Sequence, residues 1–334
     1  MTYLKYIYSE ISLLFSNNSP IGISKRLYVT LYSLPNLRAV SSWLKSADNP
    51  LLAKELSQRP RVREFIYRPY LNKYWKVTER LAAIANHYKL VNSNAPILNL
   101  AHNESRELTH FDMHDKNLRV VLDRPEWMRR EGEIGLSFFL GIDRIYTIMF
   151  LLGGDSSNMK LIVGNMQGDG RDKADTYKEL TKVFYGMRPR DFLINILQMI
   201  GRELGCQEIY GISDDAHRSN LWYSKAFKHI NYDTIWLEHG GKKDDTGFFV
   251  LPTHIAKRTD DEIPTKKRAV YRRRYEFLDE LELQLEKVML NPPLKKHIDL
   301  MHKSDTHAIK VKSSACITYF FVSMNCRDLI EIFL

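Results

Sequence analysis

The chain has 334 residues, of which 44% are hydrophobic and 27% are charged, and its formal net charge is +9. These proportions are ordinary for a soluble globular protein. No stretch approaches the roughly 18 consecutive apolar residues of a transmembrane helix, and Glu10 interrupts the short apolar stretch at the N-terminus. We therefore expect neither a membrane span nor a secretory signal, and a cytoplasmic protein that is at most peripheral at the inner membrane.

Residues 1–95 are predicted to form an N-terminal helical region. Apolar residues recur at three- and four-residue intervals through 37–46 and 51–91, and Pro50, Pro60 and Pro69 divide this pattern into short helices. Tyrosines and basic residues alternate at 67–76. We interpret these aromatic residues as a packing face, with a nucleic-acid grip as the alternative.

From residue 96 the pattern changes to short strands. Apolar or alternating runs occupy 96–101, 117–123, 134–140, 144–152 and 159–167. Turn residues separate them, which predicts an antiparallel meander. Helices are then predicted at 172–186, 188–205 and 266–290, and strands at 207–213, 233–238 and 246–252. This order of elements predicts an α+β (mixed α/β) fold, in which helices flank the meander.

The strand at 159–167 leads directly into a glycine loop, Gln167-Gly168-Asp169-Gly170-Arg171. Glycines let backbone amides approach an anion closely, and Arg171 adds positive charge. A strand, a glycine loop and a helix form a common phosphate site. Asp169 and Asp172 repel phosphate, so an ordinary turn is the alternative.

This block resembles the GCN5-related N-acetyltransferase fold. There the fourth meander strand ends in a pyrophosphate loop, Gln/Arg-x-x-Gly-x-Gly/Ala, and a later helix carries Tyr-x-Lys-x-Gly-Phe. Gln167 and Gly170 match half of the loop, and Tyr223-x-Lys225-Ala226-Phe227 matches most of the later motif. Asp172 and a second intervening helix depart from the pattern. The resemblance implies an acetyltransferase-like domain in which the strands at 159–167 and 207–213 splay apart.

It also implies roles for individual residues. An acyl-coenzyme A would be bound by Gln167, Gly168, Gly170 and Arg171, and Tyr223 would protonate the leaving thiolate. Glu131 or Glu133, just before the strand at 134–140, would suit a general base. We assign Glu133 to this role, with a salt-bridged loop as the alternative.

The remaining polar residues give weaker indications of a functional site. His110, Asp112 and His114 would share one face of an extended stretch, as metal ligands can, but no HExxH-like signature accompanies them. We expect a surface loop there and no metal. Cys206, Cys316 and Cys326 contain no CxxC pair, and Cys206 is interpreted as a small buried residue.

Much of the net positive charge lies between residues 252 and 275. A basic patch there consists of Lys266, Lys267, Arg268, Arg272, Arg273 and Arg274. Such a patch attracts an anionic substrate, an anionic lipid surface or nucleic acid, with a solvated helix face as the alternative. We regard nucleic-acid binding as the weakest of these hypotheses.

A second resemblance covers roughly residues 40–290. Three motifs, at 123–133, 185–193 and 263–281, fall in the order of the bacterial VirK/YbjX family. This resemblance implies a cytoplasmic protein linked to virulence and to the cell envelope, and it supplies no catalytic residues. We assign 1–95 to the helical region, 96–290 to the acetyltransferase-like domain and 291–334 to an atypical tail.

Two functions follow from these patterns. The first is an acyl-coenzyme A-dependent acyltransferase that acts in cell-envelope modification or virulence. The second is a non-catalytic accessory virulence factor that binds a protein partner or the anionic inner membrane surface and affects the placement of surface proteins.

Overall fold

A computed structural model describes residues 3–113, 116–168, 174–218 and 230–297. In these ranges, nine strands form one sheet with helices on both faces. The fold is mixed α/β, as the sequence predicted. No helix in the described ranges combines the length and the apolar character needed to cross a bilayer.

Short helices make up most of the N-terminal region, as predicted. They are α1 (Tyr3–Leu14), α2 (Pro20–Tyr32), α3 (Leu37–Lys45), α4 (Pro50–Gln58) and α5 (Val77–Ser93). Proline occupies the first turn of α2 and of α4, where its missing N–H is not needed. The side chains of Ser19 and Asn49 cap these two helices by accepting hydrogen bonds from backbone amides.

The strands are β1 (Glu104–Met113), β2 (Lys116–Asp123), β3 (Ile134–Leu140), β4 (Asp143–Gly154), β5 (Met159–Gly168), β6 (Glu208–Ile212), β7 (Lys242–Lys243), β8 (Phe248–Leu251) and β9 (Lys296–His297). Their order in the sheet is β7-β8-β6-β5-β4-β3-β2-β1-β9. Strands β1 to β5 form an antiparallel meander, of which β2 to β5 were predicted, and β6 joins β5 in parallel.

The later helices are α6 (Ala174–Val183), α7 (Pro189–Glu203), α8 (Tyr232–Glu238) and α9 (Arg268–Leu290). Side chains of α7 and α9 pack in one hydrophobic cluster with one face of the sheet. Residues of α1 to α5 dominate a second cluster on the other face. Along β4, Phe150 and Leu152 point into the first cluster and Leu151 into the second, because successive side chains of a strand alternate.

Three predicted elements were wrong. Residues 96–98 form a 3-10 turn rather than a strand, because Pro96 lacks an N–H and fixes its own φ. Residues 233–238 belong to α8, because the Asn231 side chain accepts a hydrogen bond from the Thr234 amide and caps a helix there. Strand β1 occupies the stretch interpreted as a polar loop. The division into domains at residue 95 stays a prediction, and residues 298–334 lie outside the described ranges.

Candidate active site

Strands β5 and β6 run together for only part of their length. Four residue pairs join them, from Lys160 with Glu208 to Val163 with Gly211. Beyond Val163, β5 continues to Gly168 and pairs with β4 but not with β6. Strand β6 thus pairs with β5 over four of its five residues, and β5 extends past the end of β6 towards the glycine loop.

A β-bulge marks the point where the strands part. Asn165 pairs with Met149 and Val163 pairs with Phe150, so Gly164 is the extra residue of β5. A methyl group on Gly164 would lie 2.1 Å from the carbonyl oxygen of Glu131. Only glycine therefore lets the loop before β3 lie against the bulge.

Helix α8 supplies hydrogen bonds to both strands at this point. The amide of Met166 donates to the hydroxyl of Tyr232 at 3.3 Å, and that hydroxyl donates in turn to the side chain of Asn165. The indole N–H of Trp236 donates to the carbonyl of Ile212 at 2.8 Å. Two aromatic side chains of one helix thus satisfy backbone groups that a continuous β5–β6 ladder would have paired.

Residues after β6 hold α8 in place. The carboxylate of Asp214 accepts hydrogen bonds from the amides of Tyr232 and Asp233, at 2.9 and 3.2 Å. The ring of His217 stacks on that of Tyr232 at 4.9 Å. Burial raises the pKa of Tyr232, so its phenol stays protonated and can donate.

The structure describes only part of the predicted acyl-coenzyme A site. Gln167 is exposed at the end of β5, and Gly168 pairs with Tyr146 on β4. A methyl group on Gly168 would lie 2.5 Å from the hydroxyl of Tyr177, so this glycine is closely packed. Gly170, Arg171 and Tyr223 lie outside the described residues, and their roles stay predictions.

Glu133, the predicted base, lies in a buried polar cluster between the sheet and the N-terminal helices. One carboxylate oxygen accepts a hydrogen bond from the hydroxyl of Tyr70 at 2.9 Å. The other accepts from Tyr88 at 2.6 Å and from Arg124 at 3.2 Å. Arg124 also donates to the carboxylate of Glu55. The two carboxylates therefore share one buried guanidinium.

The cluster shifts the pKa values of its members in different directions. Burial raises the pKa of Glu133, and the charge of Arg124 offsets only part of that rise. Burial would raise the pKa of Glu55 too, but the charges of Arg124 and Arg59 outweigh it and lower that pKa. A raised carboxyl pKa suits a general base, whereas three hydrogen bonds to Glu133 favour a structural role. Its assignment as the base stays a prediction.

Two small cavities flank Arg124. One is about 20 Å³ and is lined by Tyr88 and His87, and the other is about 10 Å³ and is lined by Glu133 and Arg59. Each has room for about one water molecule. Neither can hold an acyl group, so Glu133 does not face a substrate-sized space in either cavity.

Glu131 lies beside the bulge, since its carbonyl oxygen is the atom that a methyl group on Gly164 would meet. It is buried, and one of its oxygens accepts a hydrogen bond from Arg218, which follows β6. Its other oxygen is buried without a hydrogen-bond partner among the described residues. Glu131 therefore has one carboxylate oxygen without a described partner, whereas both oxygens of Glu133 accept hydrogen bonds. Glu131 is also linked through Arg218 to the segment that follows β6.

The basic patch lies at the start of α9, and its members differ in their contacts. Arg272 pairs with Asp260 at 2.7 Å, and Arg274 donates two hydrogen bonds to the carbonyl of Tyr185. Arg268 donates to the carbonyl of Ile263 at 3.2 Å. The other three, Lys266, Lys267 and Arg273, are exposed and form no ion pair within the described ranges.

The sequence also singled out a cysteine and a set of potential metal ligands. Cys206 is buried, and burial raises the pKa of its thiol to about 12, which leaves it protonated and unreactive at neutral pH. Its interpretation as a small buried residue is confirmed. Within the described ranges, no group of three His, Cys, Asp or Glu side chains is placed to hold a metal ion.

Comparison with known proteins identifies the family. The family described as "Protein of unknown function (DUF535)" matches residues 21–287, which is more than half of the chain. The chain belongs to the DUF535 family. The Escherichia coli protein YbjX is 28% identical over 273 residues, which cover 76% of this chain and 80% of YbjX. The VirK/YbjX resemblance of the sequence is thereby confirmed.

Haemophilus influenzae has two further relatives of this DUF535 chain, both described as uncharacterized. One is 28% identical over 231 residues, which cover 67% of this chain and 76% of the relative. The other is 31% identical over 144 residues, which cover 42% and 47%. The descriptions of these relatives name no reaction and therefore do not identify a substrate.

All three motifs of the sequence lie within the DUF535 match. The first contains Arg124 and Glu133 of the buried cluster, and also Glu131. The second and third meet directly, because Arg274 of the third donates to the carbonyl of Tyr185 in the second. Tyr232 and Trp236 lie outside these motifs, and sequence reasoning missed them because their segment was assigned to a strand. The cap residue Asn231 was the signal that could have revealed the helix.

Proposed function

We propose that this chain is an acyl-coenzyme A-dependent acyltransferase whose acceptor is linked to the bacterial cell envelope. The end of the β5–β6 pairing at Val163 carries the proposal, because β5 continues to Gly168 without β6 beside it, and this class of enzyme takes its donor beside the end of such a strand. The arm of coenzyme A is narrow and contains two amide groups. Such an arm would hydrogen-bond to this edge of β5 much as an added strand does, in place of the Tyr232 hydroxyl that accepts from the Met166 amide.

The proposed chemistry is direct transfer. An amine or hydroxyl of the acceptor attacks the thioester carbonyl, a new C–N or C–O bond forms, and the C–S bond breaks. A glutamate takes the proton of the acceptor, and Tyr223 protonates the leaving thiolate. Amides of the 167–171 loop would bind the pyrophosphate of the donor, and Gln167 at the exposed end of β5 starts that loop.

A thermal-shift panel tests the donor. Acetyl- and longer acyl-coenzyme A should raise the melting temperature, since a ligand that binds only the native state stabilises it. Gly170→Trp should abolish the shift, because a large side chain in the loop blocks the approach of its amides to the pyrophosphate. Free coenzyme A and pantetheine separate binding of the nucleotide from binding of the arm. If no thioester changes the melting temperature, the proposal is wrong.

The base is tested by two matched substitutions. Glu133→Gln and Glu131→Gln each remove one carboxylate and keep the shape of the side chain. Loss of the base should lower kcat by about 10² to 10⁴-fold and remove the acidic limb of the pH–rate profile. A variant that changes stability but not the pH profile has lost a structural carboxylate instead.

A non-catalytic accessory role is the second candidate, and the basic patch favours it. Lys266 and Lys267 lie at the N-terminal end of α9, where the helix dipole disfavours positive charge, and Arg273 follows in the second turn. The structure describes no side-chain cap at this end of the helix. These cations therefore do not stabilise the helix that carries them, and an anionic lipid surface or a protein partner would account for them.

Liposome flotation tests this role. Replacing Lys266, Lys267 and Arg273 by glutamine removes three unpaired charges and should weaken binding to anionic vesicles at low salt. A variant with Lys182, Lys242 and Lys287 replaced by glutamine removes the same charge from other exposed sites. Equal loss in both variants would show a net-charge effect and exclude the patch as a specific surface.

A further inference from the structure

Helix α2 has apolar residues on its outer face as well as on its inner face. Its inner face packs into the N-terminal core through Gly22, Val29 and Thr30. Its outer face presents three aliphatic side chains, Ile23, Leu27 and Leu31, with exposed fractions of 39, 49 and 57%. Leu34, in the 3-10 turn that follows α2, is exposed by 39%, and we call these four residues the α2 stripe.

The spacing makes the stripe continuous. Ile23, Leu27 and Leu31 are four residues apart and therefore lie one above another on the helix surface, and Leu34 comes just after the end of the helix. Ile21 on the same helix and Leu13 on α1 are also exposed, by 46% and 54%. A row of this kind differs from single exposed apolar residues, which are normal on protein surfaces.

The charge around the stripe is positive. The segment 3–47 contains five basic residues and one acidic residue: Lys5, Lys25, Arg26, Arg38, Lys45 and Glu10. The carboxylate of Glu10 pairs with the buried guanidinium of Arg63. Lys5, Arg38 and Lys45 are exposed. Lys25 lies on α2 itself, Lys5 on α1, and Arg38 and Lys45 on α3. Exposed aliphatic side chains on a helix of a predominantly basic region match the interface of an anionic bilayer.

We propose that the α2 stripe is a membrane-docking surface, which enters the headgroup region of an anionic phospholipid bilayer while the nearby basic side chains contact the lipid phosphates. The positive charge of this region argues against a second copy of the chain as the occupant of the stripe. A second copy of the chain docked on the stripe would bring two positive surfaces together, whereas an anionic bilayer complements them.

This inference is independent of the proposed acyltransferase and of the basic patch on α9. Leu278, Leu281 and Leu285 of α9 pack on one face of the sheet, and Val29 of α2 belongs to the cluster on the other. The two surfaces therefore belong to different layers of the fold, and substitutions in one can be tested without the other.

The test is flotation of the full chain with vesicles of phosphatidylcholine alone and of phosphatidylcholine with 30–40% phosphatidylglycerol (about the anionic content that gives a strong surface potential). Leu27→Glu with Leu31→Glu should lower the partition coefficient about tenfold per residue, because each loses buried apolar area and gains a repelled charge. Leu283→Glu is the matched control, since Leu283 is exposed by 58% on α9 and Leu31 by 57% on α2.

The outcomes are distinct. Binding to anionic vesicles that the stripe variant loses and Leu283→Glu keeps supports the proposal. Binding that survives in the stripe variant overturns it, as does failure of the wild-type chain to float. Light scattering on the same samples adds one further result. A dimer that only the stripe variant disrupts would assign the stripe to a second copy and overturn the membrane assignment. Circular dichroism checks that each variant folds.

Discussion

The hydroxyl of Tyr232 lies 3.3 Å from the amide nitrogen of Met166, at the point where β5 leaves β6. This contact places a side chain where a neighbouring strand would supply a carbonyl. The Met166 amide, which lies beyond the β5–β6 pairing, therefore has a partner although β6 has ended. Any ligand that enters the gap must replace or extend this hydrogen bond.

Tyr232→Phe should destabilise the protein by about 1–3 kcal/mol, because the Met166 amide and the Asn165 side chain would lose a buried partner. Urea unfolding measures the change. Tyr74→Phe is the control, since its hydroxyl bonds to Asp215 at the surface and water can replace it. A loss as large in the control as in Tyr232→Phe would contradict the importance of the gap.

Arg124→Met should destabilise the protein by about 3–5 kcal/mol, because two buried carboxylates, Glu55 and Glu133, would lose the guanidinium between them. Arg272→Met breaks an exposed pair with Asp260 and should leave the unfolding midpoint almost unchanged. A small loss for Arg124→Met would mean that water in the flanking cavities solvates the carboxylates.

His87 should make the protein less stable in mild acid. Burial lowers the pKa of His87 to about 3, and its Nδ1 accepts a hydrogen bond from the Leu152 amide. The unfolded chain takes up a proton below about pH 6.5 while the native imidazole stays neutral, so stability falls as the pH drops from 6.5 towards 3. Between pH 6.5 and 5 the loss should be about 1.5 kcal/mol.

His87→Asn separates this effect from other titrations. Asparagine can accept the same amide hydrogen bond but does not titrate, so the slope of stability against pH between 6.5 and 5 should flatten. His254→Asn, at an exposed position, should keep the wild-type slope. If His87→Asn keeps it too, another group is responsible for the acid sensitivity.

Long apolar patterns in the sequence predicted the meander, α7 and α9, because their periods are set by burial on one face or on both. Elements rich in charged residues were harder to predict from the sequence. Strand β1 contains Glu104, Glu107 and His110. These polar residues indicated a loop, although the backbone of the strand pairs with β2. Short α8 was also missed, since seven residues hold too few turns to show a helical period.

The sequence could locate the candidate site only where a single continuous stretch of the chain forms it. The glycine loop and its strand are contiguous, so the sequence located the end of β5. The buried cluster joins Glu55 on α4, Tyr88 on α5 and Arg124 after β2, and no local pattern links residues so far apart. Such contacts follow from how the N-terminal helices pack on the sheet, which tertiary structure alone reveals.

Gly164→Ala should be the most damaging of the conservative changes near the gap. Its methyl group would lie 2.1 Å from the carbonyl oxygen of Glu131 and 2.7 Å from Cγ of Leu71, and a backbone oxygen cannot move aside cheaply. Overpacking of this kind typically costs about 1–3 kcal/mol, and the displaced loop would also shift Glu131. The unfolding free energy of the variant measures the loss.

Gly201→Ala is the matched control for this change. Its methyl group would lie 3.1 Å from the flexible end of Leu161, and alanine favours the interior of α7 over glycine by about 1 kcal/mol. The control should therefore be neutral or slightly stabilising. Equal stability of the two variants would show that the bulge can relax, and that the separation of β5 from β6 does not depend on a glycine at position 164.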